Sequence, residues 1–251
     1  MKTAEEVYRK YEERYFEKSL NPEHLTHDGI SPLIRKLKEL PEFQVSLVGH
    51  SVENRDIHLV RFGSGPTRVL LWSQMHGNEP TATMALFDIF NFLAEGGYLA
   101  EFLEQRLTLY FIPMVNPDGA ERDSRYNAWG VDLNRDARLP QTPEGKLLKG
   151  TAEIIHPHYA FNLHDQQSYY SAGYTDKPAT ISFLAPPQDH KCTITPNREK
   201  AMQLIATMTQ AIQLEILGHV GRYVANFDQT AFGDTFQFMD YCTVLIESGG
   251  Y

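Results

Sequence analysis

An α/β fold is predicted: one domain with a mixed, mostly parallel central sheet flanked by helices. Three observations predict it. Apolar runs at Val69–Trp72, Leu107–Val115, Tyr159–Leu163 and Thr243–Ile246 are short and nearly continuous, the pattern of strands buried on both faces. Segments with apolar residues at helical spacing alternate with them. Polar residues follow several of these runs, at His76, Asn116, His164 and Glu247. If the strands point the same way, these tips gather at one sheet edge, where open α/β sheets bind ligands.

The chain has 251 residues, of which 42% are hydrophobic and 22% charged, enough for one large core. With a net charge of -9 and no basic stripe, nucleic acid is excluded as an expected partner. No apolar run is long enough to cross a bilayer, so no membrane association is expected. Met1–Tyr15 has no apolar leader core. Cys192 and Cys242 lack metal-site spacing and read as free thiols in a reducing compartment. The expectation from these is a cytoplasmic location.

In order, residues 4–18 carry Val7, Tyr8, Tyr11 and Tyr15 at helical spacing. Ser31-Pro32 reads as an N-cap and first helical residue, with Leu33, Ile34, Leu37 and Leu40 on one face and Pro41 as the stop. Residues 43–49 and 56–62 read as two strands around the turn Glu53-Asn54-Arg55, and 68–74 as a third. A helix from Thr81 to about Leu93 should bury Ala82, Ala85, Leu86, Ile89 and Leu93, with Gly96-Gly97 ending it. Residues 116–150 and 166–195 read as irregular; long loops of this kind are commonly functional. Asn197 should cap a long helix with the stripe Ala201, Leu204, Ile205, Met208, Ile212 and Ile216. No repeat or linker divides the chain, so 1–251 reads as a single domain, with helices and a hairpin in 1–66 and the core in 67–251.

His76 and Glu79 fall where a strand ends and a helix begins. An imidazole and a carboxylate three positions apart can face one metal ion, and His164 is the best candidate for a third ligand. Alone, His-x-x-Glu is equally a surface histidine beside a helix-start carboxylate. Chain-wide agreement is what separates the two. His76-Gly-Asn-Glu79, Asn116-Pro-Asp-Gly119, Arg125 through Asp132-Leu-Asn134-Arg135, His164 and Thr243-Val-Leu-Ile-Glu247 agree in order and spacing at five places, from about residue 67 onward. This pattern resembles the zinc carboxypeptidases, the carboxypeptidase A-like metallopeptidases.

The resemblance implies one zinc ion per chain, held by His76, Glu79 and His164, with Asp132 orienting His76. It implies that Asn134 and Arg135 grip the free C-terminal carboxylate of a peptide substrate, a task suited to the planar guanidinium fork. It implies Arg125 as the oxyanion-polarising arginine, with Arg122 in the same loop as its rival, and Glu247 as general base. The expected activity is metallocarboxypeptidase hydrolysis of the C-terminal peptide bond. The alternative is a zinc amidohydrolase of the aspartoacylase or succinylglutamate desuccinylase kind, acting on N-acyl amino acids. A third reading is a non-catalytic carboxylate-binding protein on the same fold.

The family's substrate-capping tyrosine has no well-spaced counterpart; Tyr223 is nearest. A side-chain pocket is expected within about Phe227–Gln237, with Asp228 or Asp234 favouring basic residues and the aromatics favouring apolar ones. Tyr169, Tyr170 and Tyr174 are candidates to line a cleft, whereas His156 and His158 fit no ligand position. The chain ends four residues after Glu247, short of the helix with which such proteins usually continue. The expectation is an exposed apolar face that a homodimer would cover.

Overall fold

The computed structural model describes residues 8–166 and 170–249. Val7 and Tyr169 lie outside the described residues. Eight described strands form one sheet: β1 Phe43–His50, β2 Asp56–Phe62, β3 Thr67–Trp72, β4 Leu107–Ile112, β5 Tyr159–Gln166, β6 Ile181–Leu184, β7 Val220–Arg222 and β8 Cys242–Gly249. Their order is β1-β2-β4-β3-β5-β8-β6-β7. The centre, β4-β3-β5-β8, is parallel throughout, with β1, β2 and β6 joined antiparallel at the flanks. The C-terminal ends of β3, β5 and β8 therefore share one edge, as the strand-end polar residues predict.

Alternate residues of the central strands feed two cores, as a period of two requires. Val69 and Phe111 join Leu86, Phe90 and Leu93 of α3 (Thr81–Glu95) and Ile30, Ile34 and Leu37 of α2 (His27–Glu39) on one face. Leu70, Trp72, Ile112 and Ala160 join Leu148 and Ile155 of α6 (Pro143–Ile155) and Phe232 and Phe236 of α8 (Phe232–Phe238) on the other. Burying side chains of this size is worth about 1.5–3 kcal/mol each, so both faces of the central strands are held firmly. α7 (Pro196–Ile212) covers Phe183 and Val244 near the β8 edge. Among the described residues the other α-helices are α1 (Tyr11–Arg14), α4 (Tyr98–Arg106) and the short α5 (Pro117–Glu121).

Several boundaries differ from expectation, each for a local reason. α2 starts at His27, because Thr26 Oγ1 accepts the Gly29 N–H at 3.1 Å. Pro32 therefore lies inside the helix, where Ser31 Oγ donates to His27 O instead of capping. Thr195, not Asn197, caps α7, and Asn197 donates its amide to Asp240 O. α3 is rotated from the expected phase: Ala85 is exposed and Ile89 is 38% exposed, while Phe87 and Phe90 are buried. Ile89 borders an apolar groove of ≈ 510 Å³ on the sheet face, lined also by Val69, Leu71, Phe161 and Leu204.

The stretches 116–150 and 166–195 contain regular structure that the pattern hid. α6 begins where Thr142 Oγ1 caps Gly145 N and Pro143 takes the first helical position. β6 is inserted against β8, and β7, outside both stretches, pairs with β6.

Candidate metal centre and active site

The turn after β3 is bound to the turn after β4 before it reaches His76. Val115 N donates to Ser73 O and Asn116 N to Gln74 O, both at 3.1 Å. The Asn116 side-chain amide donates to Met75 O at 3.1 Å and accepts from Gly119 N at 2.8 Å. Gln74, at φ 48, donates to Gly77 O at 2.8 Å. The two turns touch so closely that a Cβ on Gly77 would lie 1.9 Å from the Gly119 carbonyl carbon, which only glycine avoids. His76 and Glu79 are thus set by the Asn-Pro-Asp-Gly turn as much as by their own strand.

His76, Glu79 and His164 converge and are buried, with potential ligand atoms within 4.8 Å of one another. His76 Nδ1 lies 2.6 Å from Glu79 Oε1, and His164 Nδ1 lies 2.8 Å from Glu79 Oε2. Burial alone would raise the Glu79 carboxyl, but His164 and His76 overcome it and bring it to about 2. Burial disfavours the charged His76 ring, yet bonds to Asp132 and Glu79 raise it above the usual value. The donor chemistry suits zinc: two imidazole nitrogens and a carboxylate, with a second carboxylate behind one imidazole.

That second carboxylate is Asp132, whose Oδ1 sits 3.0 Å from His76 Nε2 and also caps Asn134 N at 2.9 Å. Its Oδ2 accepts from Arg125 Nε and Nη2, both at 3.0 Å. Burial works against this ionised acid, but His76 and Arg125 hold it well below the usual carboxylate range. Arg125 Nη1 is 3.6 Å from Glu79 Oε1. Arg122 points elsewhere, to Glu53 and to Asp118 O, so the structure brings Arg125 and not Arg122 to the cluster.

Asn134 is buried: its Oδ1 accepts Phe232 N at 2.9 Å, and its Nδ2 lies 3.4 Å from His164 Nε2. Arg135 is half-exposed and paired through Nε with Asp228 Oδ2 at 3.2 Å. Glu247 is the register partner of His164 across β5 and β8. Burial pushes its carboxyl up to about 7; His164 and His76 pull it down, Glu79 and Asp165 push it up.

Tyr223 follows β7 and comes close enough for Glu247 and Glu79 to be felt, so burial and those charges push its phenol to about 12. The short strand Val220–Arg222 delivers it, and nothing in the linear spacing to Glu247 marks it. Tyr170 packs edge-on to Tyr223 at 6.1 Å, whereas Tyr174 stands in solvent. His156 ends α6 in a left-handed conformation, and His158 Nδ1 accepts Arg68 N–H at 3.0 Å, so both are structural. Asp234 accepts the Asp228 N–H, and Asp228 is engaged by Arg135, so each expected pocket acid already has a partner.

A zinc carboxypeptidase family model matches residues 30–231, more than three-quarters of the chain. The chain belongs to the zinc carboxypeptidase family. Among curated relatives, a probable carboxypeptidase 2 of Arthroderma benhamiae is 28% identical over 141 residues, covering 56% of this chain and 25% of that protein. Mouse cytosolic carboxypeptidase 6 is 27% identical over 127 residues, covering 47% of this chain and 24% of that one. The chain therefore spans about a quarter of the length of these zinc carboxypeptidase relatives. A metallo-carboxypeptidase structure from Burkholderia cenocepacia superposes with TM-score 0.73 at 17% identity, over 90% of this chain and 60% of that one. Carboxypeptidase A from Helicoverpa armigera gives 0.71 at 17% identity, over 99% and 73%. These likenesses show the zinc carboxypeptidase fold. They do not favour the amidohydrolase alternative. Among the described residues, no helix is long and apolar enough to cross a membrane.

Proposed function

We propose that the chain is a zinc-dependent exopeptidase unit that hydrolyses the C-terminal peptide bond of peptides carrying a free carboxylate. The observation that carries the reading is the register of Glu247 with His164, which sets an acid of raised pKa beside the His76/Glu79/His164 cluster.

His76, Glu79 and His164 would hold one zinc ion, with Asp132 fixing the His76 ring. Zinc at such a site acidifies a water to roughly neutral pH and polarises a carbonyl. Glu247 takes a proton from the attacking water and returns it to the leaving amine, a shuttle suited to an acid titrating near the working pH. Arg125, held by Asp132, donates to the carbonyl oxygen as negative charge develops there. Arg135 and Asn134 receive the terminal carboxylate, and the Asn134 Oδ1 that accepts Phe232 N holds the loop that carries them.

Glu247→Gln tests the assignment. It should abolish hydrolysis while zinc content, measured on the purified protein, stays at one per chain. Wild-type turnover in that variant would overturn the role.

A further inference from the structure

Arg135 is not a free cation. Its Nε lies 3.2 Å from Asp228 Oδ2, and its Nη1 donates to Asn134 O at 2.7 Å. Asp228 is itself fixed. Its Oδ1 accepts from Thr230 N at 2.9 Å and from Thr230 Oγ1 at 2.6 Å, and its N–H donates to Asp234 Oδ1 at 3.1 Å. Burial opposes its ionisation, but the Thr230 bonds and Arg135 keep its carboxyl below the ordinary value, so it is charged at neutral pH. The pair remains open to solvent, with the Arg135 and Asp228 side chains 51% and 38% exposed.

This pairing changes what the clamp offers. A guanidinium already matched to a fixed carboxylate carries no net charge to an incoming anion. Adding a substrate carboxylate leaves the three groups at -1 in sum. The side chains around the clamp do not offset this, whatever the charge at the metal cluster: Asp132 is felt at Asp228, Arg125 is turned to Asp132, and Arg138 is turned to Gln229 at 2.7 Å. The missing positive charge is best supplied by the ligand itself.

The geometry points to Asp228 as the residue that sets the charge preference for the C-terminal residue, favouring a side chain with an ammonium or guanidinium group and disfavouring an acidic one. This rests on the carboxypeptidase reading, in which Arg135 receives the terminal carboxylate. If Asp228 merely orients Arg135, its loss weakens every carboxylate ligand equally. If it sets preference, its loss reorders them.

Calorimetric binding to the zinc-loaded chain separates these outcomes without turnover. The ligands are Nα-acetyl-lysine, Nα-acetyl-norleucine, Nα-acetyl-glutamate and, as a control, Nα-acetyl-lysinamide. Wild type should bind the lysine ligand tightest and the glutamate ligand weakest. Partly exposed pairs contribute modestly, so each step should be about fivefold at most. Asp228→Asn, which keeps an oxygen for Thr230, should erase the order by weakening lysine and strengthening glutamate. Asp228→Glu should retain the order. Uniform weakening in Asp228→Asn, or an unchanged order, overturns the inference and leaves the carboxylate clamp standing. Equal binding of the lysinamide, or no binding of any ligand, overturns the clamp and the inference with it.

Discussion

His164 and Glu247 are register partners on the adjacent parallel strands β5 and β8, so their side chains leave the same face of the sheet at the same height. Glu79 spans the two histidines of the cluster, touching His76 through one oxygen and His164 through the other. A half-buried acid is thereby held by strand pairing beside a buried histidine–carboxylate cluster, and the loss of solvent around it is the first cause of its raised pKa.

Arg125 and Arg122 should separate by activity. Arg125→Ala removes a donor beside the cluster and should lower kcat by about 10²–10³, the usual cost of one oxyanion donor. Arg122→Ala breaks an exposed pair with Glu53 and should leave kcat/KM within about threefold. Steady-state kinetics on one peptide substrate checks both.

Asp132→Asn should weaken metal retention. The carboxylate contacts His76 Nε2 and Arg125 together, and loss of such an outer partner typically costs about 10–100-fold in metal affinity. Competition with a coloured chelator reads the change directly. Unaltered affinity would show that the Asp132 charge does not govern how His76 holds the metal.

Asp234 should make stability fall as pH rises. Burial lifts its carboxyl from 3.8 to about 7 in the folded chain, so between these values the folded state binds more protons than the unfolded one. The sign is therefore a loss of stability through this window, at up to about 1.4 kcal/mol per pH unit. Asp234→Asn keeps an acceptor for Asp228 N and should remove that part of the slope. Urea denaturation of both proteins at pH 5 and pH 8 should show the variant gaining relative to wild type at the higher pH.

Much of this site was legible because chemistry and periodicity coincide at strand ends. His76, Glu79, His164 and Glu247 each follow an apolar run, and a parallel centre brings such positions to one edge. Capping was less legible. Thr26 and Thr195 cap in place of Ser31 and Asn197, although Ser and Asn are the better caps by type, because a cap is decided by which side chain meets a free N–H. α6 was hidden inside a polar stretch, although Thr142-Pro143 is a start signal of the kind expected at Ser31-Pro32. Tyr223 and Asp228 stood out as candidates, but what they contact was out of reach for another reason. Their relations to Glu247 and Arg135 join segments 24 and 93 residues apart, and no periodicity encodes a loop's return path.

Hydrolysis at a free C-terminus is read by giving the zinc-loaded chain three matched substrates: an N-blocked dipeptide with a free C-terminus, the same dipeptide amidated, and an N-acetyl amino acid. Cleavage of the free-carboxylate dipeptide alone is the predicted result, since Arg135 requires the carboxylate. Cleavage of the amidated dipeptide at a similar rate, or of the N-acetyl amino acid alone, would contradict it.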